Sequence, residues 1–366
     1  MHDAATTGLA LLAFIIWLYL ILGRGGFWQV WKWTYLGKTQ TRARVVAVIP
    51  ARNEADVIAE SVQSLLAQDF TGWLHIVVVD DSSSDGTGDI ARQLGVTVVP
   101  GMPLQAGWTG KLWALQQGVT LAETFEPDYL LFTDADIRHG AKGLALLVQL
   151  ANELHLDLAS YMVKLQCKTL PEKLLIPPFV FFFLMLYPPS LGTGAAGGCL
   201  LIRPAMLRAI GGLEAIRGEI IDDCSLAAAV RRQGGKIWLG LTQESQSIRP
   251  YTSFGEIGRM ISRSAFRQLD HSLSMLLGAV FGLTVTYLLP VALLFSGDPK
   301  VTGIALLTYL AMCAVYWPMI RFYRLPLWWC ASLPLAASFY LGATIHSAVQ
   351  YWRGKGGVWK GRVQDH

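Results

Sequence analysis

The chain has 366 residues, of which 53% are hydrophobic and only 15% charged, with a mean hydropathy of +0.40. Soluble globular proteins carry about 25% charged residues, so the composition argues against a wholly soluble protein and against a disordered one. The formal net charge of +4 is mild and unclustered, which speaks against a nucleic-acid binder.

In chain order, the first apolar segment is Thr7–Leu22, which reaches the roughly 20 residues needed to span a bilayer when Ala4–Thr6 are added. It lacks the basic start and small-residue cleavage end of a signal peptide, so residues 4–23 read as an uncleaved anchor. Lys32, Lys38, Arg42 and Arg44 follow it and place the next domain in the cytoplasm by the positive-inside rule. Residues 44–270 read as an α/β domain. Val45–Ile49, His75–Val79, Val96–Val99 and Tyr129–Thr133 are short continuous apolar runs, hence buried strands. Helices are expected between them, from a cap at Asn53 to about Gln68, over Thr87–Leu94 and over Gly110–Glu123. This alternation predicts βαβ units and a mostly parallel, Rossmann-like sheet.

Residues 176–190 are apolar and bracketed by the pairs Pro177-Pro178 and Pro188-Pro189. The stretch between the pairs is too short to cross a bilayer, so an interfacial helix is expected. Leu273–Phe295, Val301–Ile320 and Leu325–Gln350 are uncharged and each long enough to span, giving a membrane domain at 273–350 with two to three spans. Arg321 and Arg324 on one side of the last run, and Arg353, Lys355, Lys360 and Arg362 in the basic tail 351–366, both favour the cytoplasm. A single crossing by Leu325–Gln350 cannot satisfy both. Cys167, Cys199, Cys224, Cys313 and Cys330 form no Cys-x-x-Cys pair, and the histidines form no zinc pattern. The thiols read as free, in a reducing compartment.

In open α/β sheets, ligands sit at the carboxyl ends of the strands. No Gly-x-Gly-x-x-Gly and no P-loop stands there. Instead the strands end in Pro50-Ala-Arg-Asn-Glu54, Asp80-Asp-Ser-Ser-Ser-Asp-Gly86 and Asp134-Ala-Asp136. Acids alone would repel a phosphate. They make sense as oxygen ligands to Mg2+ or Mn2+, or as acceptors for base and ribose groups. Gly107-Trp-Thr-Gly-Lys111 precedes a helix whose N-terminus suits phosphate oxygens. Asp222-Asp-Cys224 opens a later helix. Its acids serve either as caps or as a general base aimed at a hydroxyl.

These five motifs, in this order and spacing, resemble family-2 glycosyltransferases of the GT-A fold. The layout with an N-terminal anchor and C-terminal spans is similar to the hopene-associated glycosyltransferases, bacterial relatives of ceramide glucosyltransferase. The resemblance covers about residues 44–270. It implies a membrane-bound inverting transferase that moves a sugar from a nucleotide-sugar, expected to be a UDP-sugar, to a lipid hydroxyl, on a multi-pass protein of the bacterial inner membrane. It further implies that Pro50, Ala51 and Glu54 line the nucleoside pocket and that Asp80 and Asp81 hold uracil and ribose. Lys111 approaches the nucleotide, Asp134 and Asp136 hold Mg2+ or Mn2+, and Asp223 is the base with Asp222 beside it. Gly197, Gly198 and Cys199 then form the acceptor-side floor. Membrane-bound relatives often carry Gln-x-x-Arg-Trp after the base. Here the stretch reads Arg259-Met-Ile-Ser-Arg263, which makes Arg263 the expected diphosphate arginine, with Arg259 and Arg267 expected on the same helical face. The missing Trp argues against a polymer-building or polyprenyl-phosphate transferase. The intact acids argue against a silent scaffold.

Overall fold

A computed structural model describes residues 2–33, 42–356, 358–359 and 362–363. Lys38 and Lys360 lie outside the described residues, as does the side chain of Arg362. Helix α1 (His2–Leu22) precedes the α/β domain. That domain runs β1 (Arg44–Ala51), α2 (Ala55–Leu66), β2 (Trp73–Asp80), α3 (Thr87–Gln93), β3 (Thr97–Pro100), α4 (Gly110–Glu123), β4 (Tyr129–Thr133), β5 (Ile137–His139), α5 (Gly143–Glu153) and β6 (Leu158–Lys164). It continues with α6 (Leu170–Leu186), β7 (Cys199–Ile202), α7 (Pro204–Ala209), α8 (Asp222–Arg232), β8 (Ile237–Ser247) and α9 (Phe254–Ser262). The helices that follow are α10 (Leu273–Leu283), α11 (Leu289–Leu293), α12 (Pro299–Phe322) and α13 (Leu333–Trp352), with a short π turn joining α10 to α11. A small hairpin, β9 (Val358–Trp359) and β10 (Arg362–Val363), follows.

One eight-stranded sheet has the order β3-β2-β1-β4-β7-β6-β8-β5. The half read from the sequence, β3-β2-β1-β4, is parallel. The other half is mixed: β7 is antiparallel to both β4 and β6, β6 and β8 are parallel, and β5 is antiparallel to β8. β1 is enclosed from Val45 to Ala51 and β4 along its whole length, whereas Val96–Val99, expected to be buried, is only half-buried because β3 is an edge strand. Helix α4 lies tightly over β1 and β2 because Gly118 has no side chain. A Cβ there would overlap Val48 and come within 3.0 Å of Val79.

Three expectations are corrected. Glu54, not Asn53, precedes the first turn of α2; Asn53 takes a left-handed conformation (φ 51°), and its side-chain oxygen accepts from the Ser84 N–H at 2.9 Å. The mid-chain prolines do not bound their helix. A capping box of Thr169 and Glu172 starts α6 well before Pro177-Pro178, which lie inside it. Helix α6 with the turn after it, Leu170–Leu191, is thereby long and apolar enough to span. Both its ends are nonetheless tied to the α/β domain. Tyr251 N–H donates to Glu172 at one end, and Tyr187 hydroxyl donates to Gln268 at the other. Finally, Leu325–Gln350 is not one apolar span. It divides into a 3-10 helix, Leu327–Ser332, and α13.

Among the described residues four helices are long and apolar enough to cross a membrane: Ala4–Leu22, Leu170–Leu191, Leu273–Leu293 and Pro299–Phe322. The segment from 323 to 352 leaves the α/β domain where Gln243 donates to the Phe322 carbonyl. It folds back along α12, so that Ala331 accepts from Tyr309 hydroxyl at 3.0 Å. Tyr309 lies thirteen helical positions before Phe322, about 20 Å at 1.5 Å per residue. The segment then returns to the domain: Phe254 packs against Phe339, Ser347 bridges Ser262 and Phe266, and Tyr351 stacks on His271. Both ends of this segment therefore pack against the α/β domain. One apolar core joins α1, α12 and α13 to the α/β domain. It includes Trp17, Phe181, Leu239, Ile257, Tyr316 and Ala336.

Candidate active site

At the carboxyl end of the sheet a cleft is lined by Pro50, Lys111, Thr133, Asp134, Gly197, Asp222 and Asp223, floored by Leu112, Leu115 and Leu200. Residues from four of the five sequence motifs meet here, together with Gly197, because β1, β4 and β7 are neighbours and α4 and α8 begin at the same end.

Lys111, in the first turn of α4, lies 3.0 Å from Asp134 and 3.1 Å from Asp222. Burial opposes its charge, but Asp134, Asp222 and Asp223 together raise the ammonium above the ordinary lysine range. Asp223, in the first turn of α8, accepts the Gly197 N–H at 2.7 Å and the Cys224 N–H at 2.8 Å, one on each oxygen. Burial and the adjacent Asp222 carboxylate push it up to about 6, against Lys111 and the two N–H donors. Such a carboxyl is ionised at neutral pH yet basic enough to accept a proton from a hydroxyl. A Cβ on Gly197 would come within 3.3 Å of both Asp223 Oδ2 and Lys111 Nζ, so this position needs a small residue. Gly198 and Cys199 lie just behind, outside the cleft lining. Gly198 carbonyl accepts from Thr133, and Cys199 is buried in β7 with its thiol raised to about 12 by burial.

The remaining predicted residues lie outside the cleft lining. Ala51 is buried at the end of β1, opposite Asp80 in register. Asp80 accepts the Ser83 N–H at 3.0 Å, and the lack of a side chain at Gly88 lets α3 close over it. Asp81 is buried, 3.6 Å from Arg52. The loops after β1 and β2 are laced together. Glu54 N–H donates to Thr87 at 2.8 Å, Ala55 N–H to Asp85 at 3.0 Å, and Asn53 N–H to Ser83 at 3.0 Å. Asp136 is held by Arg249 at 2.9 Å, and the same guanidinium pairs with Glu54. Arg263 caps the end of α9 and does not line the cleft. It does share surroundings with Tyr251, whose phenol is raised by burial and by Asp136 and Asp134, and lowered by Arg249 and Arg263. Arg267 is not on that helical face: α9 stops at Ser262, and Arg267 sits in a separate 3-10 turn, 3.0 Å from Glu219.

Sequence reasoning missed Arg249, Thr133 and His139. His139 lies under the Asp134–Asp136 turn. Thr133 donates to the Gly198 carbonyl at 2.8 Å, so His139 Nε2–H donates to Thr133 at 3.0 Å, and Nδ1 accepts from Ser245 at 3.3 Å. Burial lowers its pKa to about 4, keeping it neutral. This strut ties the acidic turn to the 197–199 segment and to β8. The signal for Arg249 was a basic residue just past a strand, with no motif around it.

The donor set of Asp134 and Asp136 fits a divalent cation of the Mg2+ type. Among the described residues no three His, Cys, Asp or Glu side chains converge on one point. Mg2+ is commonly held by one or two carboxylates, with substrate phosphates and water completing its shell. Asp134 and Asp136 supply that number.

Residues 46–211 match the model of glycosyl transferase family 2. This segment belongs to that family. A mannosyltransferase of Pyrobaculum calidifontis, solved with GDP-Man and Mn2+, superposes with a TM-score of 0.60 at 17% identity, over 93% of this chain and 98% of that one. The fold is GT-A, and the domain is that of a glycosyltransferase. A 105-residue stretch is 35% identical to an uncharacterized protein of Methanocaldococcus jannaschii. A 91-residue stretch is 38% identical to 4,4'-diaponeurosporenoate glycosyltransferase of Staphylococcus aureus. These matches take in 29% and 25% of this chain, and the chain spans only 40% and 23% of those relatives' lengths.

Proposed function

We propose that the protein is a membrane-bound inverting glycosyltransferase that moves one sugar from a nucleotide-sugar, preferentially a UDP-sugar, to the hydroxyl of a lipid, with a hopanoid-type lipid as the leading acceptor. The observation that carries this reading is the cleft, where a carboxyl pushed up to about 6, Asp223, faces Lys111 and Asp134 across a few ångströms. Pro50, Ala51, Glu54, Asp80 and Asp81 take the nucleoside, and Lys111 meets the diphosphate, with Arg263 near its outer edge. Asp134 and Asp136 would hold Mg2+ or Mn2+. When bound, such an ion neutralises charge on the leaving diphosphate. Asp223 takes the proton from the acceptor hydroxyl as that oxygen attacks the anomeric carbon; the sugar–phosphate bond breaks, and nucleoside diphosphate leaves with the electron pair. Asp222 keeps Lys111 in place and keeps Asp223 basic.

The lipid acceptor is supported by the core shared between the α/β domain and the membrane helices, and by α6, which lies along their junction. The Staphylococcus aureus relative is named for a lipid-type acceptor. Arg24 and Lys32 follow α1, Arg321 lies in the last turn of α12 with Arg324 just beyond it, and Arg353 and Lys355 follow α13; by the positive-inside rule these basic residues support a cytoplasmic catalytic domain.

The test is release of nucleoside diphosphate by the detergent-solubilised full chain from a panel of UDP- and GDP-sugars, with Mn2+ or Mg2+, with and without bacterial lipid extract. Lipid-stimulated release from one donor supports the reading. Folded protein that releases nothing from any donor refutes it.

A further inference from the structure

We infer that Arg249 is a built-in counter-ion of Asp136: it occupies the carboxylate while no metal is present and yields it when metal and nucleoside diphosphate arrive together. This rests on the proposed role of Asp134 and Asp136 in holding a cation. The strand register makes the pairing unavoidable. Ile137 of β5 faces Ser247 of β8. One step further, Ile248 N–H donates to the Asp136 carbonyl at 2.8 Å. Arg249 then emerges directly beside the Asp136 side chain. Its Nε donates to Asp136 Oδ2 at 2.9 Å, and Ser247 hydroxyl donates to the same oxygen at 3.4 Å. Its Nη2 pairs with Glu54.

The charges set the consequence. Glu54 and Asp136 are mostly buried, at 11% and 17% side-chain exposure, whereas Arg249 is at 36% and has a route outward. A divalent ion approaching Asp136 alone meets a carboxylate already neutralised and a guanidinium within a few ångströms, so it binds weakly. A nucleoside diphosphate changes both terms. Its oxygens complete the ion's shell, and they offer the guanidinium the planar, bidentate partner that arginine favours. Glu54 keeps Arg249 tethered while it changes partner. Metal and nucleotide therefore bind with positive coupling, and the coupling is reciprocal.

The test is Mn2+ binding by electron paramagnetic resonance to the detergent-solubilised full chain, with and without UDP or GDP. The wild type should bind Mn2+ weakly alone and more tightly with a nucleoside diphosphate. Arg249→Gln should tighten binding of Mn2+ alone by about tenfold, within the usual range of such couplings, and shrink the effect of the nucleotide. Arg249→Lys keeps the charge and should bind Mn2+ alone nearly as the wild type does. Unchanged or weaker binding in Arg249→Gln, or tight binding in Arg249→Lys, overturns the counter-ion role. Asp136→Asn separates the two layers of the argument: it should abolish specific Mn2+ binding, and binding that survives it overturns the metal role of Asp136 and this inference with it.

Discussion

Asp223→Asn is the most informative single change. The carboxamide keeps the size of the carboxylate but loses its basicity, and loss of a general base costs about 10²–10⁴-fold in rate. The structure also indicates what happens to stability. Asp223 accepts an N–H on each oxygen, from Gly197 and from Cys224. An Asn amide can accept only one, leaving a buried N–H facing an NH2 group, at a cost of about 1–3 kcal/mol. Against this, the rise from 3.8 to about 6 means that the folded protein penalises the ionised carboxyl by roughly 3 kcal/mol, and the neutral amide removes that penalty. The two effects nearly cancel, so the melting temperature should shift by no more than a few degrees while transfer collapses. The pH profile gives a second readout. The base works when ionised, so wild-type kcat/KM should fall as pH drops through about 6. In the residual activity of the variant that limb should be gone. Transfer within threefold of the wild type, or an unchanged acidic limb, would remove Asp223 from the base role.

Three further outcomes are expected. Gly197→Ala should cut transfer while leaving thermal stability nearly unchanged, because the new methyl falls between Asp223 and Lys111 rather than in the core; a kinetic and calorimetric comparison checks this. Gly118→Ala should instead destabilise by about 1–3 kcal/mol, since its methyl overlaps Val48 under α4; thermal unfolding reads it directly. His139 is lowered to about 4, so its folded-state contribution is complete above its ordinary value of 6.5 and is lost as pH falls from there toward 4. His139→Gln should therefore lose less stability than the wild type between pH 7 and pH 5, measured as the difference in melting temperature.

The first half of the sheet was legible because buried parallel strands leave continuous apolar runs, and their acidic ends stand out against them. Tyr129–Thr133 with Asp134 and Asp136 is the clearest case. The second half was not. β8 passes from apolar to polar residues at Gln243–Ser247, and its antiparallel partner β5 has only three residues, too short for any periodicity. Arg249 was hidden for the same reason: its meaning depends on a register between distant strands. Pro177-Pro178 misled the reading of α6, since the signal that sets its start is the Thr169–Glu172 capping box, not the prolines. Leu325–Gln350 begins and ends against the α/β domain, a property of packing against α12 and α9 that hydropathy does not encode.

The central claim is transfer of one sugar to a lipid. Its most direct measurement is mass spectrometry of lipids recovered after the full chain, in bilayer nanodiscs, is incubated with each nucleotide-sugar and Mn2+. The account predicts a single added sugar on one lipid class, with wild-type protein and not with Asp223→Asn. A ladder of added sugars, or no glycosylated lipid while nucleotide is still released, would contradict it.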